Sequence, residues 1–156
     1  MIELARIAAF IAVLGTAIVY GTDAFAAMVL RPALAHVDDR CLVAVTGCVH
    51  LYGDRRMPVP GALGIIGAAA SAVLAAVAGQ WFAAVAAGAA VGVLLVWLVL
   101  YVRVSAPINR QLTTAAKTGE VPPNARALQS NWDRIITARA VLQGLATAAL
   151  CLALMI

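Results

Sequence analysis

Apolar residues along this chain come in long unbroken runs separated by polar intervals, and the runs have the length of a bilayer crossing. A hydrocarbon core about 30 Å thick needs about 20 apolar residues in a helix rising about 1.5 Å per residue. Residues 4–30, 62–79, 81–104 and 135–156 meet that requirement and predict four transmembrane helices. The first run ends at Arg31-Pro32, where proline opens a new segment. Gly79-Gln80 leaves so short a junction that the second and third helices form an antiparallel hairpin. The expected fold is an all-α integral membrane four-helix bundle, one domain over 1–156, with polar connections 31–61 and 105–134.

The first connection is patterned. Leu34, Val37, Cys41, Val45, Cys48 and Tyr52 recur at spacings of three and four, which predicts an amphipathic helix between helices 1 and 2. Pro32 suits its first turn and Gly53 its carboxyl cap. It is expected to lie on the bundle or in the interface, the alternative being a fifth crossing, for which the nearly uncharged residues 41–52 are too few. The second connection predicts a short helix between helices 3 and 4, with Ser105 as cap, Pro107 in the first turn and Gly119 at the end. Val121-Pro122-Pro123 breaks it. Asn124 can then cap an extension of the last helix carrying Leu128 and Trp132 on one face. In helix 3, Ala84, Gly88 and Gly92 at four-residue spacing predict a close-packed seam.

Composition sharpens the pattern. The chain is 64% hydrophobic and 12% charged, with a mean hydropathy of +0.97, more apolar than a soluble domain needs. The formal net charge of +4 rests on 11 scattered basic residues beside apolar runs, a topology signal with no nucleic-acid partner implied. Arg31, Arg40, Arg55, Arg56, Arg110, Lys117, Arg126 and Arg134 fall in the two connections, against Arg6 at the opposite side. The positive-inside rule places both connections in the cytoplasm and both termini outside, in a plasma (inner) membrane. Trp97 and Tyr101 at one face and Trp81 at the other suit interfacial belts. Cys41, Cys48 and Cys151 lack a disulfide spacing and are expected to be free. Ala24-Phe25-Ala26 resembles a signal cleavage site, but Glu3 beside Arg6 favours a retained first helix.

The polar residues suggest where chemistry sits. His36, Asp39, Arg40, Gly47 and His50 share a face beside the apolar stripe, and Asp54-Arg55-Arg56 follows. Imidazoles and a carboxylate at a bilayer surface supply a base, a relay or metal ligands. His36, Cys48 and His50 are the metal candidates, although neighbours two apart diverge on a helix and no zinc or copper spacing is present. Asp23 and Arg139 each lie among apolar residues at similar depth. They either pair in the bilayer or snorkel separately to the interface. Walker, GxGxxG, HExxH and GxSxG patterns are absent.

Ala106-Pro107-Ile108-Asn109-Arg110-Gln111-Leu112, then Trp132 and Arg139, resembles the Pro-x-Asn-x-x-Leu, Trp and Arg pattern of the anthrone oxygenase-like family of small four-helix membrane proteins. The long connection through His50-Leu51-Tyr52-Gly53-Asp54 is compatible with it. A histidine that often precedes the arginine is replaced here by Ile135, Ile136, Thr137 and Ala138. Characterised members oxidise an aromatic anthrone to an anthraquinone with O2, without flavin or haem. The resemblance implies an oxidoreductase with O2 as co-substrate, no tightly bound cofactor and a hydrophobic aromatic substrate, and it carries over Asn109, Trp132 and Arg139. Carbanion chemistry needs a base and an oxyanion donor. His50, Asp54, Asn109 and Arg139 form the expected catalytic set, with Trp132, Arg55 and Asp23 against the substrate. Two alternatives stay open: an accessory subunit of a homo-oligomer or larger membrane complex, and a metal-handling protein.

Overall fold

The structure, a computed structural model, describes residues 1–156 and contains helices and turns only. Helix α1 (Ile2–Phe25) passes through a π-helical turn, Ala26–Leu30, into α2 (Arg31–Leu34). After a short break, α3 (Asp39–Arg56) meets α4 (Pro58–Val77) at Met57, which keeps helical angles of φ −71° and ψ −21°. Helix α5 (Trp81–Leu100) continues through a second π turn, Tyr101–Ser105, into α6 (Ala106–Thr118), and α7 covers Ala125–Met155. Four helices are long and apolar enough to cross a membrane: Ile2–Leu34, Pro58–Val77, Trp81–Thr118 and Ala125–Met155. The glycine turns fall where expected, Gly79 and Gly119 both adopting φ +74°, a backbone region that a Cβ disfavours.

Two halves with different cores follow. In the apolar half, α1 packs on α4 and α7, and α5 packs on the same two helices, closing a ring. Its core is built from small residues, Ala12, Ala68, Ala87, Ala90 and Ala146, with Leu94 and Leu150. Close approach is carried by α1 and α4. A Cβ at Gly15 would lie 2.6 Å from the Pro60 carbonyl oxygen, and one at Gly67 would lie 2.9 Å from that of Ala8. The expected seam on helix 3 is corrected here: Gly88 and Gly92 are exposed with open space beside them, while Ala83, Ala87, Ala90 and Leu94 face inward. Two stripes of small residues run along α5, and spacing alone does not choose between them.

In the other half, α3 packs on α6 over a core of Leu42, Val43, Ile108, Leu112, Trp132 and Ile136. The amphipathic segment differs from expectation in extent and in face. It is broken between Leu34 and Asp39, where the Asp38 side chain accepts from the Cys41 N–H at 2.7 Å and starts a new helix. Gly53 lies within that helix, which runs on to Arg56. Leu42, Val43, Thr46, Gly47 and His50 are buried, whereas Cys41, Val45, Cys48 and Tyr52 face outward. The inward face is apolar at Leu42 and Val43, turns polar at His50 where it meets a cavity, and is small at Gly47 because α6 comes close. A Cβ at Gly47 would run into the Ala116 Cβ and lie 2.6 Å from the Leu112 carbonyl oxygen. Gly47→Ala is therefore expected to destabilise the protein by about 1–3 kcal/mol, the usual cost of overpacking, measurable as a lowered unfolding midpoint in detergent. An unchanged midpoint would show that α3 and α6 are not in contact.

Each π turn comes just before a proline, Pro32 or Pro107. Proline supplies no N–H and its ring crowds the carbonyl four residues earlier, so a widened turn lets the helix continue. Ser105 is thus inside a continuous helix and is not a cap, and the second membrane helix starts at Pro58 instead of near residue 62. Asn124 precedes α7 without a side-chain capping bond. Ile2, Arg6, Gln80 and Ile156 line one crevice at the far end, so both termini lie opposite the polar connections.

Candidate functional site

A cavity of about 410 Å³ lies where the two halves meet. Its polar wall takes Asp23 from α1, His50 and Asp54 from α3, Asn109 from α6, and Trp132 and Arg139 from α7. Six of the seven residues expected for catalysis and substrate contact are thereby brought together from four separate stretches of sequence. Arg55 is not among them: it is exposed and absent from the lining. His36 and Cys48 are exposed while His50 is buried, and no three His, Cys, Asp or Glu side chains gather to hold a metal ion.

Arg139 organises the cavity floor. Its Nη2 donates to Asp23 Oδ1 at 2.7 Å and its Nη1 to Ser105 Oγ at 2.8 Å. Trp97 Nε1 donates to the second Asp23 oxygen at 3.0 Å. The guanidinium also sits 5.5 Å and 5.4 Å from the ring centres of Trp97 and Tyr101, which are stacked on each other. With relative exposures of 4% for Asp23 and 6% for Arg139, the two groups pair and do not snorkel. Trp97 corrects another expectation, since it is 7% exposed and no belt residue.

A second arrangement stands beside the first. Asp54 Oδ1 accepts from the Tyr101 hydroxyl at 2.7 Å and from Asn109 Nδ2 at 2.8 Å. The π turn makes this possible. Asn109 follows Trp97 by twelve residues, which at about 100° per residue would leave it about 120° round the helix. The extra residue accommodated by the π turn takes back about 100°, so Trp97, Tyr101, Ser105 and Asn109 all face the site. Sequence reasoning missed Trp97, Tyr101 and Ser105. Their four-residue spacing was a usable signal only with Pro107 read as a reason for a widened turn.

His50 packs against Trp132, ring centres 5.4 Å apart and planes tilted by 50°. Burial pushes its pKa down to about 4; the Asp54 carboxylate opposes this and the Arg139 charge adds to it. The imidazole is therefore neutral near pH 7. The folded state resists a proton that the unfolded chain takes up near pH 6.5, so this contribution to stability is complete above pH 6.5 and lost as pH falls through about 4. The loss is about 3 kcal/mol over that window. His50→Gln should flatten the difference, read from unfolding midpoints across pH 4–7. Equal pH dependence in variant and parent would contradict a buried neutral His50.

Four residues of the cavity lining each carry a buried polar atom without a partner: His50 Nε2, Asn109 Oδ1, Trp132 Nε1 and Arg139 Nε. Buried polar groups are nearly always hydrogen-bonded, so a cluster of free ones marks a place for a ligand or ordered water. No protein-family model, curated protein or solved structure matches the chain. The functional reading therefore rests on this geometry and on the resemblance in the sequence.

Proposed function

We propose that the protein is an integral membrane oxidoreductase resembling anthrone oxygenases, which uses O2 to oxidise a lipid-soluble aromatic or quinol-like substrate. The observation that carries this is a cavity between apolar helices whose lining includes four residues, His50, Asn109, Trp132 and Arg139, each with a buried polar atom that has no protein partner. Outward side chains such as Phe10, Leu14, Ile66, Val85 and Leu152 are exposed, a surface suited to acyl chains and costly in water. The basic residues of the two polar connections support a cytoplasmic side for those connections and an outer side for the termini in this reading.

In this reading the acidic benzylic proton of the substrate passes to His50, and Arg139 Nε–H and Trp132 Nε1–H donate to the oxyanion of the resulting enolate. His50 is a weak base with the site unliganded. An anion formed against it stabilises the imidazolium and raises its proton affinity at the moment of transfer. The carbanion forms a C–O bond with O2, giving a hydroperoxide that takes up the proton. Loss of water then leaves a carbonyl, so that CH2 plus O2 becomes C=O plus H2O. Asn109 Oδ1 is free to accept from a substrate hydroxyl, its Nδ2 being committed to Asp54.

The test is oxygen uptake and quinone absorbance with purified protein, an anthrone and dissolved O2. Turnover above the buffer rate that disappears in Arg139→Lys supports the reading, and no turnover over the buffer rate for any anthrone or quinol would sink it. An accessory role is the second reading, favoured by Gly88 and Gly92 facing outward on α5 with space for another helix. Co-purification of a stoichiometric membrane partner in mild detergent, lost on Gly88→Leu, would select it.

A further inference from the structure

The cavity is long as well as polar at one end. His50 and Ile65 both line it and are fifteen residues apart along α3 and α4, about 20 Å at the rise of a helix. The lining residues that carry the free polar atoms, His50, Asn109, Trp132 and Arg139, come from α3, α6 and α7. After Met57 the lining takes Pro58, Gly61, Ala62 and Ile65 from α4, with Val19 and Thr22 from α1 and Leu98 from α5, and the Thr22 hydroxyl is tied to the Ile18 carbonyl oxygen at 2.9 Å. This arm reaches the outside: Thr22, Phe25, Pro58 and Ala62 are lining residues and exposed. The surface it reaches is apolar, with Ile18, Leu63 and Ile66 exposed alongside.

Two glycines keep the passage open. Gly53 lines the polar end and Gly61 the apolar arm, and a Cβ at either would meet nothing within 4 Å. Packing does not demand a glycine at these points, and glycine inside a helix costs about 1 kcal/mol relative to alanine. What their small size leaves is room within the cavity. A compact aromatic ring at the polar end would fill only one part of it and leave the arm unused.

We propose that the ligand is an amphiphile with a tail, its aromatic or quinol head among His50, Asn109, Trp132 and Arg139 and a single alkyl or prenyl chain leaving at the exposed lining residues Thr22, Phe25, Pro58 and Ala62 into the bilayer. This rests on reading the cavity as the site of a lipid-soluble aromatic. It adds the substrate class and the direction of entry, from the side and not from water. The tail gains little by moving from lipid to an apolar arm, so its signature is steric and orientational.

The experiment uses full-length protein in nanodiscs and two benzoquinones with the same head, one bearing a decyl tail and one a methyl group. Binding is read from quenching of Trp97 and Trp132, which line the cavity, with concentrations expressed per lipid. Gly53→Leu is expected to weaken both ligands at least tenfold. Gly61→Leu should lower the ratio of tailed to tail-less affinity at least tenfold, and Ala62→Phe should act in the same direction. Size exclusion and unfolding midpoints identify any variant that fails to fold, and the remaining substitution in the arm then decides. If the folded arm variants weaken both quinones equally, or neither, the tail proposal is overturned while the head site stands. If neither quinone quenches the parent, or Gly53→Leu changes nothing, the reading of the cavity itself fails.

Discussion

Replacing Arg139 with leucine is expected to cost roughly 3–5 kcal/mol of stability, because it strands the Asp23 carboxylate in a buried, apolar part of the protein. Asp23 would keep only the Trp97 N–H as a partner, and Ser105 Oγ would lose its donor. Three features make this pair more than one ion contact. Both carboxylate oxygens are occupied, the arginine bridges three elements, and two aromatic faces flank its guanidinium. The pair of substitutions Asp23→Asn and Arg139→Leu together should cost less than Arg139→Leu alone, since the uncompensated charge is then gone. Unfolding titrations in one detergent measure both. If the double variant is as unstable as the sum of the two single ones, the residues act independently and the pair is not the stabilising unit.

His50→Ala should lower turnover by about 100- to 10,000-fold, the range for loss of a positioned general base, measured on protein whose unfolding midpoint shows it to be folded. The same assignment fixes a pH profile. A base whose pKa is pushed down to about 4 stays deprotonated through the physiological range, so kcat/KM of the parent should fall only as pH approaches 4. An unburied histidine would give that fall near 6.5. Turnover in His50→Ala within a factor of three of the parent would remove His50 from the mechanism. A profile falling near 6.5 would show that the imidazole is hydrated during catalysis.

The residues most legible in the sequence were those whose environment follows from chain position alone. Asp23 and Arg139 interrupt apolar runs at matching depth, and a charge there is too costly to leave alone, so their pairing was a readable option. Asn109, Trp132 and Arg139 were carried by the resemblance, and His50 by the need for a base. All four line one cavity, and whether they act together there is left to the experiments above. Arg55 was misplaced because adjacent residues on a helix point about 100° apart, so Asp54 faces the cavity and Arg55 does not.

Sequence alone determined the four apolar runs, the glycine turns at Gly79 and Gly119 and the gathering of polar connections at one end. These follow from local rules: the length of an apolar run, the freedom of a residue without Cβ, and the alternation of successive crossings. Tertiary structure decided which face of α3 turns inward, which small-residue stripe on α5 is packed, and how Trp97, Tyr101 and Ser105 join the site. In a chain that is apolar on nearly every face, hydrophobicity does not distinguish inside from outside. The choice falls to backbone proximity at Gly15, Gly47 and Gly67, and to two widened helical turns whose effect on phase appears only when neighbouring helices are in place.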